Sequence, residues 1–215
     1  MLIQLIANNE LDDHSRDLFT ASIHGIPKPG RPHELRPLAV GELFLKLAAK
    51  YCLNLDKHEL PGIFEPIQLA FSPAGSERAM QTIQAHIEAD PDDYITLHID
   101  CSNAYNLLDR AAMLTSVYSD QHLSHTWKVF AFSYSSTSKL LLRDHGHILD
   151  TVLSERGVKQ DCVLGPLGYA HTVHAGYKAA LAEQPNTTAR AIMDDLSLSG
   201  PPREVFACGC PGRRP

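Results

Sequence analysis

Long apolar runs are missing from this sequence of 215 residues, although 44% of the residues are hydrophobic. Its apolar stretches are short and interrupted by polar residues, whereas a membrane-spanning helix needs about 20 consecutive apolar residues. A transmembrane protein is therefore excluded, and no membrane partner is expected. The N-terminal sequence MLIQLIANNELDD carries no positive charge before its brief apolar stretch, which is the wrong order for a secretory signal. We therefore expect an intracellular protein, nuclear or cytoplasmic, and not a secreted one.

Basic residues and paired cysteines are also scarce. Lysine and arginine total 19 against 25 acidic residues, and the formal net charge is −6. This excludes a uniformly basic surface for nucleic acid, so any such binding must be local. The five cysteines are an odd number at scattered positions, which gives neither a disulfide framework nor a CxxC zinc pair. We expect Cys52, Cys101 and Cys162 to be buried as small hydrophobic residues.

The spacing of apolar residues predicts a mixed α and β chain. Four prolines in the basic stretch HGIPKPGRPHELRP favour an extended arm. Helical spacing follows it, and alternation predicts a strand that ends at Asp100. The predicted helices cover 40–53, a segment from Ser72 to the Asp90-Pro91 stop, 105–118, 125–135 and 167–181. Two hairpins are predicted, one turning at 144–147 and one at or beside Asp194-Asp195.

Three carboxylates are the strongest candidates for chemistry. Asp100 ends a predicted strand, and Asp194 and Asp195 lie in a predicted turn far along the chain. Carboxylate oxygens gathered from separate elements suit Mg²⁺, and two such ions support phosphoryl or nucleotidyl transfer. An Asp-Asp pair is also common in ordinary turns, because aspartate tolerates turn geometry. Spacing alone leaves both interpretations open.

Five segments, taken together and in order, resemble the reverse transcriptases encoded by non-LTR retrotransposons. They cover residues from about 28 to 200. The last of them stands in the place of the family's aromatic-x-Asp-Asp motif, and HIDCSNAYNLLDRAAML is similar to its first aspartate motif. The segments are KPGRPHELRPLAVGELFLKLAAK, QLAFSPAGSERAMQTI, HIDCSNAYNLLDRAAML, SERGVKQDCVLGPLGYAHTVH and AIMDDLSLSG.

The resemblance implies a polymerase-type α+β fold. In this fold a palm with a small antiparallel sheet is backed by helices, and part of the fingers precedes it. It implies an N-terminal extension over 1–20, a fingers portion over 21–70, a palm portion over 71–200 and an irregular tail over 201–215. About 15 residues follow Gly200, which leaves no thumb within this sequence.

The resemblance also assigns roles to individual residues. Asp100 and Asp194 are implied as metal ligands, with Asp195 completing the catalytic site. The implied cofactor is Mg²⁺, as two ions, with Mn²⁺ as a substitute. The implied partners are an RNA template, a DNA primer and deoxynucleoside triphosphates, and the oligomeric state stays open.

The implied nucleotide-binding residues come from three of the segments. Arg36, with Lys28 or Arg31, would hold the triphosphate, since the arginine fork suits phosphate oxygens. Tyr105 would pack under the sugar and exclude a 2′-hydroxyl. Gln160 would contact the template or the nucleotide pocket. Three further residues would shape the turn into the next helix: Gly157, Gly165 and Pro166.

The sequence departs from the family pattern at three positions. Ile192 stands where the family has an aromatic residue, Asp161 replaces a glycine and Val163 replaces a proline. The leading hypothesis is an RNA-directed DNA polymerase, a nucleotidyltransferase. The departures motivate an alternative, a non-catalytic relic or domesticated nucleic-acid-binding module. A third hypothesis is a pseudogene product that does not fold stably.

Overall fold

The computed structural model describes residues 1–89, 92–144 and 147–209, without the side chains of Asp13, Arg16, Lys28, Pro32, Arg36 and Asp144. Helices and strands alternate through this part of the chain, which confirms the predicted α+β class. The helices are α1 (Leu2–Ala7), α2 (Asp13–Arg16), α3 (Leu43–Asp56), α4 (Leu60–Phe64), α5 (Gly75–Ala89), α6 (Ala104–Leu107), α7 (Arg110–Ser119), α8 (Trp127–Tyr134), α9 (Gly165–Ala182) and α10 (Pro202–Gly209). The strands are β1 (Ala21–Lys28), β2 (Arg31–Val40), β3 (Ile95–Ile99), β4 (Ser138–Asp144), β5 (His147–Ser154), β6 (Thr188–Ile192) and β7 (Asp195–Gly200).

The chain divides into two compact units, each made of two segments. Unit 1 comprises Met1–His58 and Tyr105–Tyr169, and unit 2 comprises Glu59–Ala104 and Ala170–Pro215. Each unit therefore combines two stretches that are distant from each other in the sequence. The assignment of fingers and palm portions stays a prediction.

Unit 1 contains a four-stranded sheet in the order β2-β1-β4-β5. The proline-rich basic stretch is extended, as predicted, but its two halves pair with each other as the antiparallel strands β1 and β2. Pro29 and Gly30 form the connection, and Gly30 has φ +73°, a conformation that glycine adopts without a steric penalty. Strand β4 then pairs parallel with β1 and antiparallel with β5.

Helices in unit 1 bury a separate apolar cluster. Ile6 of α1 and Ala48 of α3 are fully buried with Phe132 of α8, and Phe19 packs edge-on against Phe132. The helix predicted over 125–135 is present as α8, and its Val129 and Phe130 are both inaccessible to solvent. The N-terminal segment therefore contributes to the core of unit 1.

Unit 2 contains a three-stranded antiparallel sheet in the order β3-β7-β6. Leu196 and Leu198 of β7 belong to a buried cluster with Val205 of α10, and Tyr177 and Leu181 of α9 pack against it.

The other face of β7 turns Ser199 toward His86 of α5, whose Nδ1 lies 3.2 Å from the serine Oγ. Helices thus cover both faces of this sheet, and buried residues alternate along its strand β6.

Several details differ from expectation. The helix predicted over 105–118 is split into α6 and α7, because Asp109 caps α7 by accepting a hydrogen bond from the Ala112 N–H at 2.8 Å. The predicted irregular tail contains α10.

Cys52 is buried and Cys162 half-buried, but Cys101 is exposed, so the expectation of burial was wrong there. The tip of the 144–147 turn and Cys210 lie outside the described residues.

No helix in the described ranges is both long enough and apolar enough to cross a membrane.

Candidate functional site

The three candidate acidic residues lie at one end of the three-stranded sheet in unit 2. Met193 and Asp194 form the turn between β6 and β7, and Asp195 is the first residue of β7, paired with Ile192. Strand β3 pairs with β7 up to Ile99 opposite Leu196. The next step in this register places Asp100 beside Asp195, and directly opposed residues of antiparallel strands have Cα atoms about 4.5–5.5 Å apart.

Solvent reaches all three carboxylates. Asp100 and Asp195 are exposed and Asp194 is half-buried. No described residue forms an ion pair or a side-chain hydrogen bond with any of them. Three acids near one another without a cation repel each other, and a divalent ion would remove this repulsion. Their oxygens are the hard donors that Mg²⁺ prefers, so the chemistry of this donor set fits the implied metal.

The described acidic side chains do not form a cluster that could surround a metal ion. Among residues 1–89, 92–144 and 147–209, no three His, Cys, Asp or Glu side chains are placed so that they could hold a metal ion together. The predicted metal ligands therefore lie on neighbouring strands, but their role as a metal site stays a prediction.

The turn that carries the carboxylates has an uncommon backbone. Met193 has φ +58°, in the left-handed region that side chains other than glycine rarely adopt. Gln68, which is 1% exposed, binds both backbone polar groups of this residue. Its Nε2 donates to the Met193 carbonyl at 2.9 Å, and its Oε1 accepts from the Met193 N–H at 3.0 Å. Gln68 is a site residue that the sequence reasoning missed, although it opens one of the five matching segments.

The implied triphosphate-binding residues lie on the β1–β2 hairpin of unit 1. Lys28 and Arg31 are paired across the turn, and Arg36 is opposite Ile26. The Arg31 guanidinium is exposed and contacts the Glu34 carboxylate at 3.3 Å. The side chains of Lys28 and Arg36 lie outside the described part of the structure. The hairpin therefore gathers the three cationic positions, and their role in phosphate binding stays a prediction.

Tyr105 and Gln160 also belong to unit 1. The ring of Tyr105 is half-buried and lies 5.1 Å from that of Tyr169. Its carbonyl accepts a hydrogen bond from the Val158 N–H at 2.8 Å, which ties the motif to the segment before Gln160. The Gln160 side chain is exposed.

Gly157 has φ +69°, and a Cβ there would lie 2.3 Å from the Asn106 carbonyl oxygen, so only glycine fits.

Arg110 organises the same segment from within unit 1. Its guanidinium is buried and donates to the Gly157 carbonyl at 2.7 Å and to the Ser154 carbonyl and hydroxyl at 2.6 Å. It also lies 5.4 Å from the centre of the Tyr134 ring. Burial lowers the pKa of Arg110, an effect partly offset by Tyr134 and Glu155. Arg110 lies inside a matching segment, but nothing in the sequence pattern indicated this contact.

The unusual Asp161 has a cationic partner in the structure. Its carboxylate contacts the Nζ of Lys46 in α3, and the two side chains are 35% and 29% exposed. The pair lies at a small apolar pocket whose lining includes Leu45 and Val163. The negative charge that replaces the family's glycine is therefore compensated within unit 1.

His174 of α9 is a buried histidine of unit 2. It is 6% exposed, and its ring lies edge-on to Phe64 with centroids 5.3 Å apart. Burial lowers its pKa to about 4, and the positive charge of Lys178 adds to this effect. A histidine in this environment is a structural core residue.

Comparisons with known proteins show a similarity in sequence and a similarity in fold. No protein-family model matches the chain. The chain is 28% identical over 195 residues to the retrotransposable element SLACS 132 kDa protein of Trypanosoma brucei gambiense. That alignment covers 88% of this chain but only 16% of the SLACS protein.

Solved telomerase structures share the fold. Apo telomerase from Candida tropicalis, truncated from its C-terminal domain, matches with a TM-score of 0.61 and 13% identity over 89% of this chain and 45% of that one. Telomerase from Candida albicans, in complex with a fragment of telomeric RNA, gives 0.61 and 13% over 91% and 40%. At such low identity the likeness concerns the fold alone. The chain therefore has the predicted polymerase-type α+β fold and is similar in sequence to a retrotransposable element protein.

Proposed function

We propose that this chain is the reverse-transcriptase domain of a non-LTR retrotransposon, a domain that extends a DNA primer on an RNA template. The observation that carries the proposal is the pairing of β3 with β7, which brings Asp100 beside the Asp194-Asp195 turn. The telomerase fold and the similarity to a retrotransposable element protein support it.

In this proposal Asp100, Asp194 and Asp195 bind two Mg²⁺ ions. When bound, these ions activate the primer 3′-hydroxyl and stabilise the charge on the departing pyrophosphate. The task of the three carboxylates is to fix the ions at the end of the sheet. Since positioning and electrostatic stabilisation dominate this chemistry, loss of one principal ligand is close to fatal.

The residues of unit 1 serve the substrates in the same proposal. Arg36, with Lys28 and Arg31 on the same hairpin, binds the triphosphate of the incoming deoxynucleotide. Tyr105 packs against the sugar and leaves no space for a 2′-hydroxyl, and Gln160 contacts the template. The telomeric RNA in the Candida albicans telomerase structure supports an RNA partner for this fold. The reaction takes place in the nucleus or cytoplasm.

Primer extension tests the proposal directly. The folded protein is given an RNA template, a DNA primer, deoxynucleotides and Mg²⁺, and is compared with Asp194→Asn. We expect this substitution to reduce extension by about a thousandfold or more. Asp93→Asn, with the same change of charge in an exposed residue of unit 2, is the matched control and should extend normally. Equal extension by Asp194→Asn and wild type would contradict the proposal.

A second candidate is a non-catalytic nucleic-acid-binding module. It is favoured by the finding that the described side chains do not form a three-ligand metal group. This candidate predicts RNA binding that weakens as salt rises, needs no Mg²⁺ and survives the double substitution Asp100→Asn and Asp194→Asn. Cooperative unfolding of the wild-type chain without extension or RNA binding would exclude both candidates.

A further inference from the structure

The Asp194-Asp195 turn depends on a backbone conformation that its own sequence does not favour. Met193 holds φ +58°, where a residue with a Cβ is strained, and no glycine is available at this turn. A left-handed residue of this kind persists only when its surroundings fix it. The conformation of the turn determines where the two carboxylates lie relative to Asp100.

The buried side chain of Gln68 holds Met193 in this conformation. Its amide binds both the N–H and the carbonyl of Met193, so neither group is left unpaired. Its Oε1 also accepts a hydrogen bond from the Ala70 N–H at 3.2 Å, which orients the amide. With 1% exposure, the amide has no competition from bulk water.

Gln68 is itself held firmly against β6. The Leu69 N–H donates to the Ala191 carbonyl at 2.9 Å, and the Ala191 N–H donates to the Ile67 carbonyl at 2.7 Å. Gly75 allows α5 to start directly against this segment, because a Cβ there would lie 1.9 Å from the Leu69 carbonyl oxygen. The segment 67–69 therefore behaves as a short extra strand, and its central side chain reaches the turn.

We propose that Gln68 is a positioning residue that holds Met193 in its left-handed conformation and thereby sets the geometry of Asp194 and Asp195 for metal binding. This inference rests on the proposed function, because it concerns the same carboxylates. Gln68 acts through the backbone of the turn and touches neither metal nor substrate. Without it the turn relaxes, and the carboxylates bind divalent ions less tightly.

The first test compares wild type with Gln68→Met, which keeps the size of the side chain and removes its hydrogen bonds to Met193 and Ala70. Hydrogen exchange of the Met193 amide is measured without metal, and we expect it to be about tenfold to a hundredfold faster in the variant. Affinity for Mn²⁺, followed by electron paramagnetic resonance, should fall about tenfold. Gln84→Met is the matched control, since the Gln84 amide donates a hydrogen bond to Glu88 on the exposed face of α5 and to no other residue in the described ranges. It should change neither quantity.

The second test asks whether a substitution in the turn, Met193→Gly, rescues the Gln68→Met variant. Glycine adopts a positive φ without strain, so Met193→Gly should restore most of the Mn²⁺ affinity and the extension rate that Gln68→Met removes. A purely structural role for Gln68 would lower thermal stability without this rescue. Gln68→Glu, which keeps an acceptor for the Met193 N–H, serves in place of Gln68→Met if the latter does not unfold cooperatively.

The outcomes separate this inference from the proposed function. Unchanged Met193 exchange and unchanged Mn²⁺ affinity in Gln68→Met overturn the role of Gln68 while wild-type extension upholds the polymerase. If the wild-type chain neither binds Mn²⁺ nor extends a primer, the proposed function fails, and the positioning role fails with it even when Met193 exchange depends on Gln68.

Discussion

The two sheets of this protein differ in how deeply their side chains are buried. In the three-stranded sheet of unit 2, Leu198 is 1% exposed and Leu196 is 8% exposed. In the four-stranded sheet of unit 1, seven of the eight residues of β5 are exposed, and Leu149 and Leu153 retain 62% and 56% of their accessible surface. One sheet is a packed layer, and the other shows both faces of its outer strand to solvent.

This difference in burial determines how strongly the register of the strands is fixed in each sheet. A strand whose alternate residues are buried cannot slip by one position without exposing its core face, so burial fixes the register of β6 and β7. The register of β3 follows from its pairing with β7. The carboxylates at the end of that sheet therefore lie on a well-determined frame. The register of β1, β2, β4 and β5 depends more on turns and backbone hydrogen bonds. The predicted phosphate-binding residues lie on this less buried sheet.

Truncation of one leucine in each sheet should give the largest difference. We expect Leu198→Ala to lower the free energy of unfolding by about 2–5 kcal/mol, because it leaves a cavity in the core of unit 2. Leu153→Ala removes a side chain that is already mostly in water, and should cost about 0.5 kcal/mol or less. Urea denaturation followed by circular dichroism measures both. Equal losses would show that β5 is covered in solution, and the comparison would fail.

Acid should destabilise unit 2 through His174. Its pKa is about 4 in the folded protein against 6.5 for the free side chain, so the unfolded chain binds more protons between these values. The free energy of unfolding should therefore fall as the pH decreases from about 6.5 to about 4, by up to about 3 kcal/mol. Hydrogen exchange in α9 measures this loss. Fluorescence of the single Trp127 reports on unit 1.

Two variants decide whether His174 is responsible. His174→Phe keeps an aromatic ring against Phe64 and cannot be protonated, so its stability should change little over the same pH range. His24→Asn alters an exposed histidine of unit 1 and should behave as wild type. An unchanged pH dependence in His174→Phe would assign the effect to other groups.

Local sequence signals predicted most elements but not the contacts that fix the site. Alternation and helical spacing located β3, the β6–β7 hairpin and α9, since burial on one face leaves that pattern. The helix α10 was not expected, because the segment is rich in proline and has few core-forming residues. Pro202 nevertheless suits the first helical position, where no N–H donor is needed, and Val205 is buried.

The Gln68–Met193 and Lys46–Asp161 contacts join residues more than 100 positions apart in the sequence, and no local sequence pattern indicates such contacts.

The smallest effect we predict concerns the Lys46–Asp161 pair of unit 1. A double-mutant cycle with Lys46→Met and Asp161→Asn should give a coupling of about 1 kcal/mol or less, reduced by salt, because both side chains are about one-third exposed. The more exposed Arg31–Glu34 pair, tested with Arg31→Met and Glu34→Gln, is the control and should show weaker coupling. No coupling between Lys46 and Asp161 would mean that the aspartate charge is not neutralised by α3. Its negative charge would then act fully on any bound template, and Asp161→Asn would strengthen RNA binding.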